Sequence, residues 1–140
     1  MTWNIRIAQS GDAAGITDIY APIVRDTHLS AEFEPPDVEG MRRRVETALA
    51  AHPWLVAERD GVIAGYAYAT SFRSRPAYQW TTEVSVYIHA DFRRQGVALS
   101  LYNELLNRLR TQGFRHAIAV VALPNPPSVA LHEKIGFVPV

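Results

Sequence analysis

The chain of 140 residues contains no cysteine, so it has no disulfide framework, no thiolate metal site and no cysteine nucleophile. Neither charge is in excess: Lys plus Arg is 14, Asp plus Glu is 14, and the net charge is zero. Without a global basic field the chain is not built as a dedicated nucleic-acid binder, which leaves room only for local basic patches. No apolar run approaches the roughly 18 residues of a membrane span, and Met1-Thr-Trp-Asn-Ile-Arg6 lacks the apolar core of a signal peptide. Repeats, low-complexity tracts and linkers are also missing. These absences lead us to expect one domain over residues 1–140, soluble and cytoplasmic, with no membrane or nucleic-acid partner. What is present fits that expectation. Hydrophobic residues make up 48% and charged residues 20%, a globular composition.

The patterning alternates between strand and helix periods. Ile5-Arg6-Ile7 reads as a short strand. After candidate caps at Ser10 and Asp12, Ile16, Ile19, Tyr20, Ile23 and Val24 form one helical stripe, which Pro22 is expected to kink or break. A Pro-bearing connection at residues 32–36 precedes a cap at Asp37 and a second helix through Val38, Met41, Val45, Ala48 and Leu49. Arg42, Arg43 and Arg44 lie mostly off its apolar face, either as phosphate ligands or as a solvated surface. Residues 54–59 and 62–70, joined by Asp60-Gly61, predict a hairpin, because both turn positions need positive φ. A third strand over residues 80–88 puts Val84, Val86 and Ile88 on one face and Glu83, Ser85 and Tyr87 on the other. Gly96 opens a strong helix with apolar positions at Ala98, Leu101, Tyr102, Leu105, Leu106 and Leu109, and Gly113 stops it. The apolar run 117–122 predicts a strand buried on both faces. Pro124-Asn-Pro-Pro127 leads to a short helix over residues 128–135, closed by Gly136, and residues 137–140 read as a strand beginning. An antiparallel meander followed by a parallel strand–helix–strand unit is a mixed α/β (α+β) domain.

Residues 86–100 hold the most informative chemistry. A strand runs into a turn bearing Arg93, Arg94, Gln95 and Gly96, which opens the long helix. The first backbone N–H groups of a helix have no internal partners and carry a positive dipole, so they suit a diphosphate. Gly96 lets phosphate oxygens come close, Ala98 stays small for the same reason, and either arginine adds charge-assisted bonds. The plain alternative is a turn glycine flanked by solvated arginines. This stretch resembles the acyl-CoA-binding motif of the GCN5-related N-acetyltransferase (GNAT) superfamily, (Arg/Gln)-x-x-Gly-x-(Gly/Ala), at Arg93, Gly96 and Ala98. A second match lies at Asn125, Ser128 and Leu131-His-Glu-Lys-Ile-Gly-Phe137. Residues 53–58, 78–87 and 123–133 are similar to phosphinothricin N-acetyltransferases and their methionine-sulfoximine-acetylating relatives.

The resemblance implies a GNAT fold, acetyl-CoA as co-substrate, no metal, and direct acetyl transfer to the primary amine of a small amino-acid-like acceptor. An ammonium must first lose a proton, and since α-amines titrate near about 8, a carboxylate suffices to take it. The resemblance assigns that role to Glu83; pairing with a nearby arginine is the plain alternative. It also implies that pantetheine lies between splayed strands on the main chain of Val86, Tyr87 and Ile88. The diphosphate end then falls to Arg93, Arg94, Gln95, Gly96, Val97, Ala98 and Leu99, with Asn125 and Ser128 completing the cofactor site. His132 stands where many members carry a tyrosine, and is expected to act as acid, second base or water-orienting group. His28, His52, His89 and His116 are not spaced as a metal site. Arg73, Arg75 and Tyr78 are expected to line the acceptor pocket, with Phe33 as a lid; guanidinium forks suit a carboxylate and a second tetrahedral oxygen-bearing group. Solvated loop arginines are the alternative. Relatives continue past the Gly-Phe pair with two more strands, so the chain is expected to be C-terminally truncated relative to the family. The strand at 117–122 would then show an open edge, and a homodimer is expected. Two competing readings stand beside this one: a non-catalytic acyl-CoA-binding module, and an acetyltransferase of protein or peptide amines.

Overall fold

The computed structural model describes residues 3–73 and 76–140. Strands β1 (Asn4–Ile7), β2 (Trp54–Arg59), β3 (Val62–Ser71), β4 (Thr81–Ile88) and β5 (His116–Ala119) form one sheet in that order. The first four pair antiparallel and β4 pairs with β5 in parallel. Helices α1 (Ala13–Asp26) and α2 (Val38–Leu49) cover one face, and α3 (Val97–Thr111) and α4 (Pro126–Ile135) the other. This is the mixed α/β arrangement the patterning predicts.

Local chemistry explains the elements. Asp60 and Gly61 both adopt positive φ, 54° and 78°, closing the β2–β3 hairpin as expected. The Asp37 side chain accepts the Gly40 N–H at 2.7 Å and starts α2. Asp12 accepts the Gln9 N–H at 2.7 Å before α1, and Arg6 ties it to Glu58 on β2. Strand alternation sorts the core into two layers. Trp54, Val56 and Tyr66 pack under α1 and α2, while Leu55, Ala67 and Val84 pack under α3 with Leu101 and Leu105. Each fully buried leucine of α3 contributes about 1.5–3 kcal/mol relative to an exposed one.

Five local expectations are corrected. Helix α1 does not break at Pro22 but runs to Asp26, because Ile19, Tyr20, Ile23 and Val24 stay buried on both sides of the proline and packing holds the weakened turn. The strand expected over 117–122 is β5, which ends at Ala119; Val120 is 77% exposed. Nor is β5 doubly buried: its residues are half-buried or exposed, since it pairs only with Thr81–Val84 and no described strand lies on its outer edge. The last helix begins at Pro126 rather than residue 128, with Asn125 as its cap and proline in its first turn, where a missing N–H costs nothing. Residues 137–140 form no strand; the Phe137 N–H turns back to the His132 carbonyl at 2.9 Å.

Candidate active site

Pairing between β4 and β5 stops at Val84 and Ala119. Beyond it β4 continues for four residues, Ser85 to Ile88, bonded to β3 on one side only. The other side of that backbone faces a cleft of about 620 Å³. Residues 119–122 form the opposite wall, the first turns of α3 and α4 form the end, and Ile23 and Leu29 close it from the α1 side.

The turn before α3 is shaped for an anion. Gly96 has φ 79° and Arg94 φ 64°, and a Cβ built on Gly96 would meet nothing within 4 Å. The Val97, Ala98 and Leu99 N–H groups have no acceptor inside the helix, and all three residues line the cleft. Arg93 and Arg94 line it too, are exposed, and make no ion pair among the described residues. A diphosphate fits this turn, and an extended pantetheine arm fits the free β4 edge of Val86, Tyr87 and Ile88, where it would take the hydrogen bonds a neighbouring strand would make. Of the expected cofactor residues only Gln95 lies outside the cleft lining. Asn125 and Ser128 line it, with the Asn125 side chain already accepting the Ser128 N–H at 3.4 Å.

His132 is 8% exposed and also lines the cleft. Its Nδ1 lies 2.6 Å from the Ser128 carbonyl and its Nε2 2.9 Å from the Tyr102 hydroxyl. Burial pushes the Tyr102 and Tyr87 phenols well above their ordinary value, so both remain protonated donors at neutral pH.

Glu83 sits one residue before the cleft-lining stretch of β4, in register with Thr70 and Ile118. Its side chain is on the α1–α2 face, opposite Val84, and half-buried. It makes no hydrogen bond or ion pair among the described residues, so none of the described arginines pairs with it. Burial raises the Tyr68 phenol, with a smaller contribution from the nearby Glu83 charge. The acceptor loop is partly assembled. The Arg73 guanidinium lies 4.9 Å from the Phe72 ring centroid and 5.5 Å from that of Tyr78. Arg75 lies outside the described residues. Phe33 is 99% exposed on the α1–α2 loop, so it does not yet close over a pocket.

Two sets of residues escaped the sequence reading. Tyr102 reads there as one more position of an apolar stripe, yet its hydroxyl meets His132; its spacing of four from Ala98, which puts both on one helix face, was the available signal. Arg44 reads as one of three arginines that either bind phosphate or are solvated. It binds Glu32 through both guanidinium nitrogens, at 3.1 and 2.5 Å, and Glu32 also accepts from Tyr20. Its partner lies on an aperiodic loop, so no pattern announced it.

Comparison with known proteins identifies the family. The family model described as "Acetyltransferase (GNAT) family" matches residues 17–137. The phosphinothricin N-acetyltransferase of Alcaligenes faecalis is 45% identical over 137 residues, covering 96% of this chain and 70% of that protein. That of Streptomyces viridochromogenes is 39% identical over 134 residues, covering 96% and 73%. The crystal structure of a GNAT superfamily phosphinothricin acetyltransferase from Sinorhizobium meliloti in complex with acetyl-CoA superposes with a TM-score of 0.93 at 37% identity, covering 97% of this chain and 75% of that one. The chain therefore belongs to the GNAT family of acetyltransferases.

Proposed function

We propose that this acetyltransferase, with acetyl-CoA as co-substrate, modifies the primary amine of a small amino-acid-like acceptor of the phosphinothricin, methionine sulfoximine or methionine sulfone type. One observation carries the reading: the β4–β5 cleft runs from the anion-shaped turn at Gly96 to the neighbourhood of Glu83, whose carboxylate has no ion-pair partner among the described residues. Val97, Ala98 and Leu99 offer N–H groups to the diphosphate, and Arg93 and Arg94 add charge. Val86, Tyr87 and Ile88 hold the pantetheine arm through their main chain, and one N–H there polarises the thioester carbonyl. Glu83, directly or through a water, takes the proton that the acceptor ammonium must lose before it can attack. Arg73 and Arg75 hold the acceptor's acidic groups, beside Tyr78, and Phe33 closes over it. The relatives named for phosphinothricin and for methionine sulfoximine support this acceptor class.

The test is release of free thiol from acetyl-CoA with a panel of free amino acids that includes methionine sulfone. Saturable release is expected, falling about 10²–10⁴-fold in Glu83→Gln while CoA affinity holds. Tight CoA binding without turnover would make the protein a coenzyme-binding module, and turnover confined to peptide amines would move the acceptor to proteins. We also take residues 1–140 to act as one acetyltransferase domain, in the cytoplasm and as a homodimer. Exposed Val120, Leu123 and Val138 supply apolar surface for association. No helix among the described residues is long and apolar enough to cross a membrane. A sedimentation mass of a single chain would overturn the dimer.

A further inference from the structure

Among the described residues, Trp54 Nε1 is the one buried side-chain nitrogen or oxygen with no hydrogen-bond partner. An indole N–H can only donate, and a side chain 2% exposed has no water to donate to, so the group is costly as it stands. Trp54 lines a cavity of about 910 Å³ between α2 and strands β2 and β3, which shares no lining residue with the coenzyme cleft. The inner wall of this cavity is aromatic. The Trp54 and Tyr68 rings stack with centroids 4.2 Å apart and 12° between planes, and Tyr66 lies 5.6 Å from Trp54 on the same wall. The rim offers donors. Arg43 makes no ion pair among the described residues, and Thr47, Thr70 and Ser71 add hydroxyls. Arg44 is held by Glu32, and Asp37, the one acid of the lining, by the Gly40 N–H.

The cavity starts beside the proposed base. Thr70 stands directly across from Glu83 on the same face of the sheet, which puts their Cβ atoms about 5 Å apart. Trp54 pairs with Tyr68, and Tyr68 with Ser85, so strand spacing and rise put the Trp54 Cα about 12 Å from that of Glu83. We propose that this cavity is the subsite for the far end of the acceptor, and that the chain favours amino acids whose long apolar or aromatic side chain ends in a carboxylate or similar anion; the inference rests on the acetyltransferase reading above. The amine meets Glu83, the side chain passes Thr70 and lies along Tyr68, and the terminal oxygens accept from the Trp54 N–H and the Arg43 guanidinium. That span selects acceptors longer than methionine sulfone. An anionic end is matched by donors and a positive charge, whereas a cationic end would meet Arg43 and leave the indole N–H unanswered.

The test measures acetyl transfer to 4-carboxyphenylalanine, phenylalanine, 4-guanidinophenylalanine and methionine sulfone, and follows the tryptophan Nε1–H signals in ¹⁵N spectra. In the wild type, KM for 4-carboxyphenylalanine is expected about ten-fold below that for phenylalanine, with the guanidino compound the poorest of the three. The Trp54 signal, assigned with Trp3→Phe and Trp80→Phe, is expected to move downfield with the carboxylate and not with phenylalanine. Arg43→Gln is expected to erase the ten-fold advantage, in KM rather than kcat, and Arg43→Lys to restore part of it. Trp54→Phe keeps a ring and loses the N–H, and is expected to reduce the advantage about five-fold. Should Trp54→Phe fail to fold, the Arg43 variants and the wild-type indole signal decide. Turnover of the acid no better than that of phenylalanine, an advantage that survives Arg43→Gln, or an indole signal that ignores the acid would overturn the inference, while turnover of methionine sulfone keeps the acetyltransferase reading. A wild type that binds CoA but acetylates no amine overturns both.

Discussion

At residue 96 the backbone turns left-handed, φ 79°, at the one point where helix α3 offers its free N–H groups. For any residue with a Cβ that conformation costs about 1–2 kcal/mol. The space around Gly96 is open, so Gly96→Ala is strained rather than crowded. We expect it to lower stability by about 1 kcal/mol and, because it disturbs the turn proposed to hold the diphosphate, to weaken CoA binding about ten-fold, or 1.4 kcal/mol. Calorimetry checks this, and unchanged CoA affinity would remove the diphosphate from this turn. Gly96, Ala98 and Arg93 were legible in the sequence because their chemistry is local: a strand, a turn and a helix start within one short stretch. Tyr102 was not. Its hydroxyl acquires meaning only from His132, 30 residues further on, which the fold alone brings to it.

Elements show the same division between local and distant causes. Hairpin, caps and helix stops follow from residues next to each other, and the structure places them where Asp60-Gly61, Asp37, Gly113 and Gly136 predict. The length of β5 does not follow from its own residues, because Ala119 and Val120 are as apolar as their neighbours. What ends the strand is β4, which parts from it after Val84 and so opens the cleft. The α1–α2 loop is likewise held from outside. Arg44 on α2 holds Glu32 below the usual carboxylate range by hydrogen bonding, and the Tyr20 phenol is pushed up to about 12 by burial and by Glu32. Arg44→Met is expected to free the loop that carries Phe33, raising the amine KM several-fold with CoA affinity unchanged. The pair is part-exposed, so the stability loss should be only about 0.5–1 kcal/mol. Hydrogen exchange of residues 27–37 reads the loop directly, and unaltered protection would refute the clamp.

For the whole molecule, zero net charge hides a set of pairs that join distant elements. Arg6 binds Asp12 at 2.8 Å and Glu58 at 2.6 Å, linking β1 to the start of α1 and to β2, while Arg44 links α2 to the α1–α2 loop. Hydrogen bonding from Arg6 lowers the Asp12 carboxyl below its ordinary 3.8, and hydrogen bonding from Arg44 lowers Glu32 below its ordinary 4.5. A carboxyl with a depressed folded pKa binds fewer protons folded than unfolded, so its stabilisation is complete above the unfolded value. It is then lost as pH falls through the folded one. His52 adds an earlier step: burial lowers it from 6.5, so the unfolded chain protonates first and stability begins to decline once pH drops below that value. We therefore expect urea midpoints that are level from pH 8 to about 7, fall slightly through about 6, and fall steeply below about 4.5. His52→Phe should remove the first decline. Arg6→Met should lower the neutral midpoint and flatten the acid limb, since Asp12 then titrates nearly alike in both states. An acid limb as steep in Arg6→Met as in the wild type would mean that the tie between β1 and the α1 start carries none of the acid sensitivity.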